Sequence, residues 1–112
     1  MQRDRQFLLD MLQSAELIVQ YIGDRPQADL TADFQLQDAV IRRLLIIAEA
    51  ARRVSDVTRD SLPGIAWQEI NGMRNRLVHE YDDVNLKIVW ATVQDDIPTL
   101  IAELSAKFPT EA

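Results

Sequence analysis

The eight residues Arg74-Asn75-Arg76-Leu77-Val78-His79-Glu80-Tyr81 hold the chain's only histidine, two of its twelve basic residues and one of its two tyrosines. An imidazole with an ordinary pKa of about 6.5 can take up or release a proton near neutral pH. A guanidinium stays charged and presents a planar fork that fits phosphate oxygens. A phenol with a pKa of about 10 is a poor base at neutral pH, so Tyr81 reads as a packing or hydrogen-bonding group. Zinc takes four ligands, and Asp82 and Asp83 would offer His79 only two weak ones at the wrong spacing. No metal and no cofactor are expected.

These residues act together only if a helix presents them. Each residue of an α-helix turns the chain by about 100°, which puts Trp67, Asn71, Val78 and Tyr81 within about 60° of Arg74. Ala66, Ile70, Met73 and Leu77 form an apolar stripe beside that ridge and should face the core. Asn75 and His79 are an i,i+4 pair on the other side. Arg76 and Glu80 read as a solvated ion pair. Arg74 and His79 are therefore not in line, and one helix does not easily close both on a small group.

Four helices are predicted to carry this segment. The first runs over residues 3–22, with apolar positions from Phe7 to Ile22 at helical spacing, and Gly23-Asp24-Arg25-Pro26 ends it. A polar loop to about Ala32 follows. The second helix is predicted from Asp33 to Val57 with two apolar stripes, one through Leu36, Val40, Ile47, Ala50, Val54 and Val57, the other through Ile41, Leu44, Leu45, Ala48 and Ala51. A helix apolar over so much of its circumference is buried either inside its own bundle or against a second subunit, and the second subunit is the preferred reading. Leu62-Pro63-Gly64 breaks the chain before the third helix, which carries the motif. Gly72 inside that helix weakens it by about 1 kcal/mol relative to alanine and suggests that another helix approaches closely. Asn85 caps the fourth helix, with Val84 and Val89 as a hydrophobic staple, and Pro98 should kink it before it ends near Phe108. The expectation is an all-α, up-and-down four-helix bundle in one domain, residues 1–112.

The spacing of Arg74, Asn75, His79 and Tyr81 resembles the signature of HEPN-domain ribonucleases, most closely the HepT toxins of HEPN/MNT toxin–antitoxin pairs. The likeness extends through Trp67-Gln68-Glu69-Ile70-Asn71-Gly72-Met73, Val89-Trp90, Asp96-Ile97-Pro98 and Ile46-Ile47-Ala48-Glu49-Ala50, and covers almost the whole chain. Ala48 stands where the family pattern has glycine, a small change that favours the helix. The resemblance implies an HEPN-like bundle and a metal-independent endoribonuclease that leaves a 2′,3′-cyclic phosphate. It further implies a homodimer that brings Arg74 and His79 of both subunits around one phosphate, with Asn75 in support. It implies a partner as well: a small nucleotidyltransferase (MNT) antitoxin, in a type VII-like arrangement, that transfers AMP from ATP to Tyr81. A lone histidine on a helix is ordinarily a surface or packing residue, and the arginine, asparagine and tyrosine at the family's spacing make catalysis the expectation.

Bulk properties bound these readings. The chain has 112 residues, no cysteine and a hydrophobic share of 47%, enough for one core without disulfides or thiolate metal sites. The first segment is interrupted by Asp10 and Glu16, so it reads as neither signal peptide nor membrane span, and a cytoplasmic location is expected. A net charge of −6 argues against generic nucleic-acid binding. The charge is uneven, however: residues 1–39 carry 3 basic and 7 acidic side chains, residues 40–79 carry 7 and 4, and residues 80–112 carry 2 and 7. A basic middle on an acidic body suits a short stretch of RNA backbone. Equally, Arg42, Arg43, Arg52, Arg53 and Arg59 are readable as the wet face of a helix. Two alternatives to a nuclease stay open: a non-catalytic HEPN helper that binds a nucleotidyltransferase and positions nucleotide or substrate, and a purely structural bundle.

Overall fold

A computed structural model describes residues 2–79 and 85–108, and no strand occurs among them. The fold is all-α. Its elements are α1 (Gln2–Ile22), α2 (Gln27–Ala32), α3 (Phe34–Arg53), α4 (Asp56–Asp60), α5 (Trp67–His79), α6 (Leu86–Ala91), a π-helical turn (Thr92–Asp96) and α7 (Ile97–Lys107). The expected helices are present, with two short additional ones between them. Among the described residues no helix is long and apolar enough to cross a membrane.

Local chemistry sets most of the helix ends. Gly23 takes φ +54, the left-handed conformation that favours glycine, and its N–H donates to Val19 O at 2.8 Å to close α1. Asp33 caps α3 by accepting from Leu36 N at 3.1 Å. Asn85 caps α6 as anticipated, its Oδ1 accepting from Lys87 N at 2.9 Å. The proposed staple partner Val84 and the Arg76–Glu80 pair fall outside the described residues or side chains.

The second helix is shorter than expected. It stops at Arg53 rather than Val57, because Val54 turns to an extended conformation (φ −69, ψ 136). The cause lies fifty residues upstream. Asp4, on the first turn of α1 and only 5% exposed, accepts from Ser55 N at 3.1 Å, Ser55 Oγ at 2.6 Å and Thr58 Oγ1 at 2.7 Å. A charged acceptor with three donors outcompetes one more helical turn. Ser55 then caps the separate α4 through Thr58 N. Val57, assigned to a buried stripe, is instead 80% exposed.

The hydrogen bonds from Ser55 and Thr58 hold the Asp4 carboxyl below its ordinary pKa, against the smaller opposing effect of burial. A depressed native pKa contributes stability that is present above the unfolded pKa of about 3.9 and is lost as pH falls through the native value. The native chain should thus be more stable than Asp4→Asn at pH 7, and the gap should close on acidification below about pH 4. Urea midpoints for both proteins at pH 7, 4 and 2.5 test this; a gap independent of pH would refute it.

The Asp4 contact also shows that α1 and α3 run antiparallel, since the start of one meets the chain just past the end of the other. Helix α1 packs on α3 and α7, and α3 packs on α1 and α5. One core cluster joins them, with Leu8, Met11 and Ile18 of α1, Val40 of α3 and Leu104 of α7 all fully buried or nearly so. Both apolar stripes of α3 are used, although Ile41 and Leu45 are only half-buried. The short principal axis is 19 Å, about two helix layers at the usual spacing of about 8–10 Å. A bundle this thin does not enclose a central helix on all sides.

The segment expected to be a polar loop contains α2, anchored by Leu30 at 0% exposure. Gln37 Nε2, on α3, donates to Leu30 O at 2.9 Å and Thr31 O at 3.0 Å. The fourth helix is divided as well. Pro98 lies in the first turn of α7, where its missing N–H is tolerated, and the chain just before it widens to a π turn in which Ile97 N–H reaches back to Thr92 O.

Candidate active site on the fifth helix

Helix α5 is launched by a tight turn. Ile65 N donates to Leu62 O at 3.2 Å, and the Trp67 indole N–H donates to the same oxygen at 3.1 Å. The carboxylate of Glu103, on α7, lies where a side chain on Gly64 would begin, so a larger residue there would displace the end of that glutamate. The turn clamps the start of the helix and fixes its rotation. Met73 is buried and Ile70 half-buried, as the apolar stripe predicts, while Ala66 lies just before the helix and is exposed. Ile65 takes its place in the core at 4% exposure.

Arg74, Asn75 and His79 all lie within α5, and Asn75 is exposed. Helical geometry sets the Arg74 and His79 positions about 140° apart and about 7.5 Å along the axis. Asn75 and His79 are about 40° and 6 Å apart. The fold thus brings the three onto one element, with Asn75 and His79 on a common face and Arg74 off it. Tyr81 lies outside the described residues. Asn71 Oδ1 is buried without a hydrogen-bond partner, one turn before Asn75.

Gly72 departs from the expectation of a close helix approach: among the described residues a Cβ there would meet nothing of another element within 4 Å. Alanine is then the better helix residue, and Gly72→Ala should stabilise the isolated chain by about 0.5–1 kcal/mol. A raised urea midpoint would confirm this. A lowered one would mean that something outside this chain packs on Gly72.

The α3 arginines divide. Arg42, Arg52 and Arg53 are exposed and Arg43 half-buried. Arg42 and Arg53 line an open hollow of about 300 Å³ with Phe7, Asp10, Ile46 and Glu49, so this basic surface carries acids too. Arg59 belongs to structure, pairing with Asp56 at 2.9 Å on α4. Ala48, in the position where the family pattern has glycine, is fully buried, a place where only a small side chain fits without repacking. Among the described residues no group of three or more potential ligands could hold a metal ion.

Sequence reasoning missed two sets of polar residues. Asp4 with Ser55 and Thr58 had one visible signal, a serine three residues before a threonine at the end of an apolar run. Glu69 and Asp96, which approach each other from α5 and the π turn, had none, since nothing in the pattern pairs them. Burial, then the neighbouring Asp95 and then Glu69, pushes the Asp96 carboxyl above its ordinary pKa.

Comparison with known proteins places this arrangement in context. The sequence model of the family described as Ribonuclease HepT-like matches residues 11–106, a span that includes all of α5. A candidate RNase of Methanocaldococcus jannaschii is 33% identical over 98 residues, 88% of this chain and 90% of that protein. A protein of Thermococcus cleftensis named "Probable ribonuclease HepT" is 35% identical over 96 residues, 86% of this chain and 87% of its own length. A candidate RNase of Caldanaerobacter subterraneus is 35% identical over 100 residues, 89% of each chain. No solved structure matches. With a family match over most of its length and relatives of this similarity, the chain belongs to the HepT-like ribonuclease family.

Proposed function

We propose that this chain is a metal-independent RNA endonuclease that works as a homodimer and forms the toxin half of a type VII-like HEPN/MNT toxin–antitoxin pair. The observation that carries the reading is one helix bearing Arg74, Asn75 and His79 inside the region matched to a ribonuclease family. Cleavage of RNA without a metal needs a base for the 2′-hydroxyl, an acid for the leaving oxygen and a cation for the charge on phosphorus. One His79 takes the 2′-hydroxyl proton, O2′ attacks phosphorus, and the 5′-oxygen leaves with a proton from the second subunit's imidazole. The product is a 2′,3′-cyclic phosphate. Arg74 of both subunits neutralises the phosphorane oxygens, and Asn75 orients the ring or binds the phosphate. Two observations support pooling across a two-fold axis: Arg74 and His79 diverge around α5, and α3 leaves Ile41 and Leu45 partly uncovered.

Control falls to Tyr81. Its oxygen attacks the α-phosphorus of ATP in the antitoxin's site, pyrophosphate leaves, and the AMP adds charge and bulk beside the arginines. The test joins both steps. Expression of the chain alone should arrest growth, with rescue by His79→Ala and by Arg74→Ala. Incubation with an MNT-type nucleotidyltransferase and ATP should add mass in multiples of AMP, and Tyr81→Phe should not gain it. Toxicity unchanged in both alanine variants removes the nuclease.

A second reading, a non-catalytic helper of a nucleotidyltransferase, is favoured by the net charge of −6. It predicts stimulation of the transferase with no RNA cleavage at any concentration.

A further inference from the structure

Between α3, α5 and the π turn lies a hollow of about 100 Å³. Its floor is aliphatic, with Leu44, Ile47, Met73 and Leu100 all buried. Its mouth is acidic: Glu69 is exposed, Asp96 is half-buried, and both line the opening with Thr99. Neither carboxylate has an ion-pair partner among the described residues. Asp96 comes from the π turn, a departure from regular helix of the kind that recurs at functional sites.

An apolar floor beneath two unpartnered carboxylates is complementary to an aliphatic group with a cation beside it. We propose that this hollow receives a partner protein through one side chain of leucine or methionine size, flanked by a basic residue that meets Glu69 and Asp96. The hollow has about two-thirds of the roughly 150 Å³ that holds the six carbons of benzene, which suits the four heavy atoms of a leucine or methionine side chain. RNA is excluded as the occupant, since its phosphates would face Glu69, Asp96 and the adjacent Asp95. A second copy of the chain is disfavoured too, because a two-fold contact through this patch would set one acidic mouth against another. The proposal does not depend on the activity of Arg74 and His79.

The test uses the full chain and three capped tripeptides, Lys-Leu-Arg, Lys-Ala-Arg and Glu-Leu-Glu, followed by methyl NMR of Met73 and Leu100. Lys-Leu-Arg should shift both methyls saturably, and Lys-Ala-Arg should bind at least about tenfold more weakly, having lost the buried side chain. Glu-Leu-Glu should leave both methyls unmoved. The double substitution Glu69→Gln with Asp96→Asn should weaken Lys-Leu-Arg about fivefold, and Thr99→Arg, at an exposed position in the mouth, should block it without disturbing the core. Unmoved methyls at millimolar Lys-Leu-Arg, or equal affinity for the leucine and alanine peptides, would overturn the proposal. So would a changed oligomeric state on removing the two carboxylates, which would assign the hollow to a second copy.

Discussion

The His79→Ala chain is expected to cleave RNA about 10²- to 10⁴-fold more slowly than the native one, the range that a positioned proton-transfer group contributes. His79 is the only histidine, so no neighbouring imidazole can take over. The substitution is gentle on the fold because alanine is the best helix former. Arg74→Ala should lose about 10²- to 10³-fold, as removal of one preorganised charge-stabilising donor does elsewhere. Arg74→Lys should recover only part of this, since lysine keeps the charge but loses the two-pronged fit to phosphate. The double variant should be little worse than the poorer single one, because groups that act as a unit are not additive. If imidazoles from two subunits serve as base and acid, the rate should pass through a maximum and fall on both its acid and its alkaline side. Cleavage of a labelled RNA followed from pH 5 to 9 measures all of this. Full activity in both alanine variants would leave the chain a family member without the family's chemistry.

Leu30→Ala is expected to cost about 2–4 kcal/mol, the usual penalty for emptying a buried leucine site. That would be a large fraction of the about 5–15 kcal/mol by which domains of this kind are stable. The magnitude is informative because of where Leu30 lies. Were residues 24–32 a surface loop, the same change would alter stability by no more than about 0.5 kcal/mol. In the structure Leu30 is fully enclosed, and α2 is six residues long, too short to hold itself together. Its side chain and the two hydrogen bonds from Gln37 keep α2 on the bundle. Thermal unfolding by circular dichroism compares Leu30→Ala with Thr31→Ala, an exposed neighbour that should unfold like the native chain.

The helices with strong periodicity were readable in advance because an amphipathic stripe states both the element and the face it buries. Helix α1 ends at Gly23, and α6 begins after Asn85, because capping depends on residues within one turn. The element that carries the candidate residues was readable for a similar reason: Arg74, Asn75 and His79 are close in the chain, so one helix holds all three. Where the expectation failed, the cause came from far along the chain. Helix α3 stops early because Asp4 captures Ser55, more than fifty residues away. Leu30 is core rather than loop because α2 packs against α6, far along the chain, as well as against α3. Gly64 rather than Gly72 meets a side chain of another helix, because only the position of α7 determines which backbone Glu103 reaches.

Local pattern was therefore sufficient for an all-α chain, for the helix ends at Gly23 and Asn85 and for the element carrying the candidate catalytic residues. It was sufficient because these properties depend on side chains within about one helical turn of each other. The length of α3, the burial of Leu30 and the meeting of Glu69 with Asp96 over an aliphatic hollow come from packing. Each depends on groups that only the assembled helices bring into contact, and no periodicity in the chain encodes which distant carboxylate or side chain will arrive there.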